Sequence, residues 1–203
     1  NTEKFFPVPK TDAKQSLGID PGTYTVLIGA VNVNDFYKGF DLALASLKTL
    51  NRSDIQLIIF GSINIHALNS IPCKTLSLGY LENDSALSLA YSAADVFLAP
   101  SRVEAFGKTL IEAMSCQTPV VCFDATGPAE IVDHKVTGYK ARPYCPLDLA
   151  SGIEWVLAHP NMSVIGQRAR CAVNQRCEQS LIADQYAKLY EDVIAKSNAN
   201  AEA

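Results

Sequence analysis

Thr25-Val-Leu-Ile-Gly29, Gly39-Phe-Asp-Leu-Ala-Leu-Ala-Ser-Leu-Lys-Thr-Leu50 and Ile55-Gln-Leu-Ile-Ile-Phe60 follow one another in the first third of the chain. The outer two are apolar runs of strand length, and the middle one has helical spacing. A strand, a helix and a strand in that order predict parallel pairing, because a crossover of this length carries the chain back to the same edge. The rhythm continues through strands at residues 75–78, 96–99, 119–123 and 137–141, with helices at 84–94, 107–115 and 129–133 between them. The runs lack polar alternation, which fits strands covered by helices on both faces. The expected fold is therefore α/β, with a Rossmann-like doubly wound parallel sheet over residues 23–178.

Beyond residue 146 the strand signal stops. Helices are expected at 147–158, 164–177 and 181–195, the last forming with the tail a helical C-terminal extension over 179–203. At the other end, Pro7 and Pro9 follow Phe5 and Phe6, a pattern that favours extended chain over the first turn of a helix. Residues 1–22 read as a connector and entry segment.

Composition excludes several classes. The 203 residues are 48% hydrophobic and 19% charged, with a formal net charge of −4, so no basic surplus points to nucleic acid. The apolar runs are too short to span a bilayer, and the first residues lack the apolar segment of a signal peptide. Six cysteines show no C-x-x-C pair, and Cys116 and Cys122 lie in apolar stretches where cysteine serves as a small hydrophobe. The expected setting is reduced and cytoplasmic, although three Asn-x-Ser tripeptides, at Asn51, Asn83 and Asn161, fit the glycosylation pattern of secreted chains.

In an open parallel sheet, ligands gather at the carboxyl ends of the strands, where loops feed helix amino termini. No G-x-G-x-x-G opens the first helix and no H-E-x-x-H occurs, which removes the usual support for dinucleotide and zinc readings. Gly107-Lys108-Thr109 resembles the end of a P-loop, but Arg102 stands where that motif needs its first glycine. No Asp-x-Asp is present to bridge a diphosphate through a metal. The informative loop runs from Pro100 to Gly107 and presents Glu104, with Glu112 in the early turns of the next helix. Taken alone, such a glutamate pair would be a loop charge and a solvated helix residue. Placed after a strand end, the two carboxylates are expected to face one crevice and to reach different parts of one ligand.

Glu104 and Glu112, seven residues apart, resemble the E-x7-E signature of the group 1 family of retaining glycosyltransferases with the GT-B fold. The resemblance extends over essentially the whole chain. Residues 1–7 look like the family's interdomain connector, and Tyr37-Lys38-Gly39-Phe40 looks like its phosphate loop. Tyr91-Ser-Ala-Ala-Asp-Val-Phe-Leu-Ala-Pro-Ser101 and the stretch from Thr126 to Tyr139 match the segments on either side of the signature.

The resemblance implies a nucleotide-sugar-binding domain, the C-terminal half of a GT-B fold. It would serve a metal-independent, cofactor-free hexosyltransferase that moves sugar from a UDP- or GDP-sugar to a hydroxyl acceptor. It places Glu104 against the donor sugar, Glu112 on the ribose hydroxyls and Lys38 on the departing diphosphate. The Phe106, Gly107 and Lys108 amides would meet sugar or phosphate, with Gly29, Ala30, Gly61, Tyr80 and Thr109 completing the site. An amino-terminal acceptor domain is the implied partner, and polysaccharide biosynthesis the implied setting. Peripheral association with the inner face of the membrane would come through that domain. The final helix is then expected to expose Leu181, Tyr186, Leu189 and Tyr190 as an apolar stripe.

Two positions depart from the family pattern. Ala30 stands where many members carry a phosphate-binding arginine, and Gln117 stands where a helix-ending glycine is usual. Two other classes compete: a binding module that holds donor without catalysing transfer, and a relative that epimerises or hydrolyses nucleotide sugars.

Overall fold

The computed structural model describes residues 2–201. Asn1 of the expected connector and Glu202 and Ala203 of the expected tail lie outside the described residues. Six strands form one parallel sheet: β1 (Tyr24–Asn32), β2 (Ile55–Ser62), β3 (Lys74–Ser77), β4 (Val96–Ala99), β5 (Val120–Phe123) and β6 (Gly138–Ala141). Their order is β3-β2-β1-β4-β5-β6, so the winding reverses between β1 and β4. That is the arrangement of a doubly wound Rossmann-like sheet.

Side chains alternate across the sheet with period two. Val26 and Ile28 of β1, Val96 and Leu98 of β4, and Val121 and Phe123 of β5 enter one apolar core. Leu27, Phe97, Val120 and Cys122 enter the other. The first core is covered by α2 (Phe40–Leu50) and α7 (Pro146–Leu157), which pack on each other. Over the second lie α4 (Asp84–Ala93), α5 (Lys108–Ser115) and α8 (Met162–Arg176). Short helices α3 (Ile65–Asn69) and α6 (Thr126–Ile131) complete the connections.

The entry segment departs from the expected extended chain. Extended backbone ends at Pro9, and α1 (Lys10–Ser16) follows, packed against α4. What holds it is tertiary. Lys14, 4% exposed, pairs with buried Asp95 at 2.8 Å, and Lys10 reaches the other oxygen at 3.0 Å. Asp95 also accepts the Thr25 amide at 2.8 Å and the Thr25 hydroxyl at 3.0 Å, so one carboxylate ties α1 to the starts of β1 and β4. Before the helix, the Val8 amide donates to Ser92 Oγ, and Lys4 O accepts from Ser88 Oγ.

The last helix, α9 (Gln179–Ala201), is longer than the expected 181–195. Tyr186, Leu189 and Tyr190 are exposed, joined by Val193 and Ile194, whereas Leu181 is half-buried. Among the described residues no helix is long and apolar enough to cross a membrane.

Burial pushes the Asp95 carboxyl up, but Lys10 and Lys14 more than offset it and hold the group below the usual carboxylate range. Its contribution is therefore present above the unfolded value of ~3.9 and lost as pH falls through the lower folded value. Asp95→Asn leaves Lys14 buried without a counter-charge and is expected to cost about 3–5 kcal/mol in urea unfolding. It should also flatten the acid limb of the stability profile. A loss under about 1 kcal/mol with an unchanged acid limb would show that the pair does not hold α1.

Candidate active site

The β1–α2 connection delivers Lys38. Asp35 accepts the Tyr37 amide at 3.0 Å and caps a single 3₁₀ turn, Phe36–Lys38. Gly39 then takes the left-handed conformation with φ 67°. A Cβ built there would lie 2.0 Å from the Pro100 carbonyl oxygen, closer than any side chain tolerates. The backbone contact presses this loop onto the carboxyl end of β4, beside the point where the sheet reverses.

Glu104 comes from the β4–α5 loop. Its carbonyl accepts the Gly127 amide at 3.0 Å, and its amide meets Thr126 Oγ1 at 3.4 Å. A Cβ at Gly127 would lie 2.6 Å from the Ala105 carbonyl oxygen, so the β5–α6 turn holds the Glu104 loop from behind. The two loops meet in an ion pair between Lys38 Nζ and Glu104 Oε2 at 2.8 Å, with the side chains 36% and 20% exposed. Beneath it, Gly29, Ala30, Lys38, Glu104 and Thr109 line a cavity of about 20 Å³, room for a single water.

Gly107 is the N-cap of α5 and Lys108 its first residue. The amides that open a helix have no partner within it and carry the positive end of its dipole. Here they start beside the ion pair and add partial positive charge next to the Lys38 ammonium. Among the described residues no three His, Cys, Asp or Glu side chains converge.

Glu112 faces elsewhere. Lys108, Ile111, Glu112 and Ser115 share one face of α5, as residues three and four apart must, and this face turns toward α9. They line a groove of about 920 Å³ together with Phe5, Phe106, Tyr186 and Leu189. Glu112 Oε2 accepts the hydroxyl of fully buried Tyr91 at 2.8 Å. Burial raises the Glu112 carboxyl above its ordinary range, and the Tyr91 hydrogen bond works against that rise. The two carboxylates thus open on two neighbouring concavities rather than one crevice, because a loop residue and a second-turn helix residue leave the strand end in different directions.

The remaining candidates lie along the same edge of the sheet. Ala30 is buried, and the Gly61 amide donates to the Gly79 carbonyl at 2.7 Å, which joins the ends of β2 and β3. Tyr80 beside it is 64% exposed. Gly61 and Tyr80 line neither the cavity nor the groove. With Ala30 apolar, Lys38 is the one cation among the described residues lining the cavity.

Sequence reasoning did not single out four contributors. Tyr91 gave no sign that its hydroxyl meets Glu112, since the two belong to different helices. Thr126 through its hydroxyl and Gly127 through its amide bond the backbone of Glu104, on a loop distant in sequence. Arg102 bonds the Lys38 loop through both its backbone and its guanidinium, and in the sequence it figured only as the residue that breaks the P-loop pattern.

Comparison with known proteins agrees with this architecture. The family model of group 1 glycosyl transferases matches residues 10–176. An uncharacterized glycosyltransferase of Methanocaldococcus jannaschii is 31% identical over 157 residues, which cover 73% of this chain and 40% of that protein. The chain thus spans well under two thirds of that relative's length. Among solved structures, the C-terminal domain of a glycosyl transferase group 1 family protein from Francisella tularensis superposes with a TM-score of 0.73. Identity there is 20%, covering 88% of this chain and 98% of that one. Anabaena HepE in complex with UDP-glucose superposes with a TM-score of 0.80 at 20% identity, covering 95% of this chain and 55% of that one. With the reversing six-stranded sheet and a family match over most of its length, the chain belongs to the group 1 glycosyltransferases and has the fold of their C-terminal GT-B domain.

Proposed function

We propose that this chain binds the nucleotide diphosphate sugar for a retaining, metal-independent transfer of a hexose-like sugar to a hydroxyl acceptor. The observation that carries the reading is the Lys38–Glu104 pair at the sheet's reversal point, beside the opening amides of α5. A lysine ammonium has three donors, so Lys38 can keep Glu104 and still meet a phosphate oxygen. The diphosphate then rests above the small cavity, between Lys38 and the amides of residues 107–109. Glu104 takes hydroxyls of the donor sugar. A carboxylate can accept two hydroxyls at once, and Glu112, held by Tyr91, takes those of the ribose. Phe106 lies between these two positions, and Gly29, Ala30, Gly61 and Tyr80 form the floor and the base-side rim.

In the transfer, the bond from the sugar's anomeric carbon to the diphosphate breaks and the acceptor oxygen bonds to that carbon on the same face. The acceptor's proton passes to the departing phosphate oxygen. Negative charge grows on the diphosphate as its bond breaks, so Lys38 and the helix terminus stabilise the transition state more than the bound donor. UDP-glucose in the fold neighbour HepE supports a UDP-sugar as the first donor to test. The metal-independent part rests on the absence of an Asp-x-Asp sequence. Action on the cytoplasmic side, in polysaccharide assembly, belongs to the same reading.

Two observations favour a second reading for the chain by itself. It spans 40% of the length of its M. jannaschii relative, and α9 leaves Tyr186, Leu189 and Tyr190 exposed. Taken alone, the chain would then be a binding module, completed for transfer by an acceptor-binding half.

Calorimetry with UDP, GDP and ADP is expected to show binding of one nucleotide, weakened on the order of tenfold by Lys38→Met, the scale of one lost charge-assisted contact. Equal affinity in the variant would remove Lys38 from the site. In a protein of the relatives' full length, Glu104→Ala should lower kcat roughly 10²-fold or more, and transfer near the unmodified rate would end the assigned role. Nucleotide binding should also decline as pH falls and Glu112 gains a proton. Because the Tyr91 hydroxyl stabilises the carboxylate, Tyr91→Phe should begin that decline at higher pH, and superimposable profiles would disconnect the pair from ribose binding.

A further inference from the structure

Arg102 sits where three loops converge, and its bonds are unusually specific for a residue on a loop. Its amide donates to the Tyr37 carbonyl at 2.8 Å, and its Nη1 donates to the Phe36 carbonyl at 3.0 Å. The guanidinium forks onto Asp41 at 2.8 and 2.6 Å and lies 4.3 Å from the centre of the Phe36 ring. Its own carbonyl accepts the Tyr144 hydroxyl at 3.3 Å from the loop after β6. The Asp41 side chain is 65% exposed, so the ion pair contributes little by itself. The two bonds to carbonyls of the 3₁₀ turn are different: they fix the turn that ends in Lys38. The residue supplying them stands two positions before Glu104 on the opposing loop.

We infer that Arg102 is a positioning residue for the donor diphosphate, acting through Lys38. It locks the Phe36–Lys38 turn to the loop that bears Glu104 and so sets the separation of the Lys38 ammonium from the Glu104 carboxylate. The inference rests on the donor-site reading given above and adds to it the means by which one cation is held in place. With Ala30 apolar and Lys38 the one cation lining the cavity among the described residues, the cavity offers no second cation to compensate for a misplaced first. Arg102 is assigned no donor contact in this arrangement, since both terminal nitrogens of its guanidinium already bond Phe36 and Asp41. Lysine is no substitute, because a point charge cannot make a planar fork and also reach a carbonyl.

The test has one arm that requires no ligand. In a crystal structure of ligand-free Arg102→Ala, the Lys38 and Glu104 side chains should stand more than about 4 Å apart, beyond ion-pair contact. An unchanged pair would overturn the inference, whatever the protein binds. The second arm measures UDP and uridine binding by calorimetry in Arg102→Ala, Lys38→Met and the double variant. Arg102→Ala should weaken UDP binding on the order of tenfold, leave uridine within about twofold, and add less than about twofold in the Lys38→Met background. Equal losses for UDP and uridine, or full additivity with Lys38→Met, would reduce Arg102 to a structural strut and overturn the inference. If Lys38→Met alone leaves UDP binding intact, the donor-site reading fails at Lys38, and Arg102 as a diphosphate-positioning residue fails with it. If Arg102→Ala does not fold, Asp41→Asn weakens the fork from outside both loops and should shift UDP binding in the same direction by a smaller factor. No shift in that variant would count against the inference.

Discussion

A single close backbone approach governs the carboxyl edge of the sheet: Gly39, in a left-handed conformation, lies against the Pro100 carbonyl with no room for a side chain. Because the two loops touch there, a lysine from the end of β1 and a glutamate from the end of β4 stand 2.8 Å apart although 66 residues separate them. Gly127 repeats the device on the other side of Glu104 by fitting under the Ala105 carbonyl. The site is thus built first from backbone contacts. Its charges come second, and they fall where the reversal of strand order leaves an opening.

Two ion pairs in this chain do different work. Lys14 and Asp95 are both nearly water-free, and Asp95 is saturated by Thr25 and Lys10. Removing one member strands a buried charge, so the pair acts as a structural tie. Lys38 and Glu104 keep contact with solvent, where an ion pair adds little to stability. Such a pair can exchange partners at small cost, which the proposed donor role requires. Glu112 is set apart again: half-enclosed and propped by Tyr91 through one oxygen, it lines the groove below α9.

Much of the fold was legible because buried parallel strands write themselves as largely apolar runs, as β1, β2, β4 and β5 do, whereas the edge strands β3 and β6 carry polar residues and were placed by the alternating rhythm. The misses have physical causes. Pro7 and Pro9 correctly mark extended chain, but α1 forms directly after them because Asp95, 81 residues away, recruits Lys14. Helix α3 is too short to show a period, and α9 runs beyond its apolar stretch into polar sequence. At the candidate site, the position of a loop after a strand end drew attention to Glu104 and Glu112, and the family resemblance indicated their roles and Lys38. The directions in which side chains leave a loop and a helix were not readable, so the separation of Glu104 from the Glu112 groove emerged only in three dimensions. Arg102 and Tyr91 were invisible for the same reason, since each acts on a residue from another element.

The most direct measurement is a crystal structure of this chain with the best-binding nucleoside diphosphate among UDP, GDP and ADP. The expected result places a terminal phosphate oxygen within hydrogen-bond distance of Lys38 Nζ and of the amides opening α5, with the ribose hydroxyls on Glu112. A diphosphate bound elsewhere, for instance beside Arg176 in the groove under α9, with Lys38 still paired to Glu104 alone, would contradict the donor-site assignment.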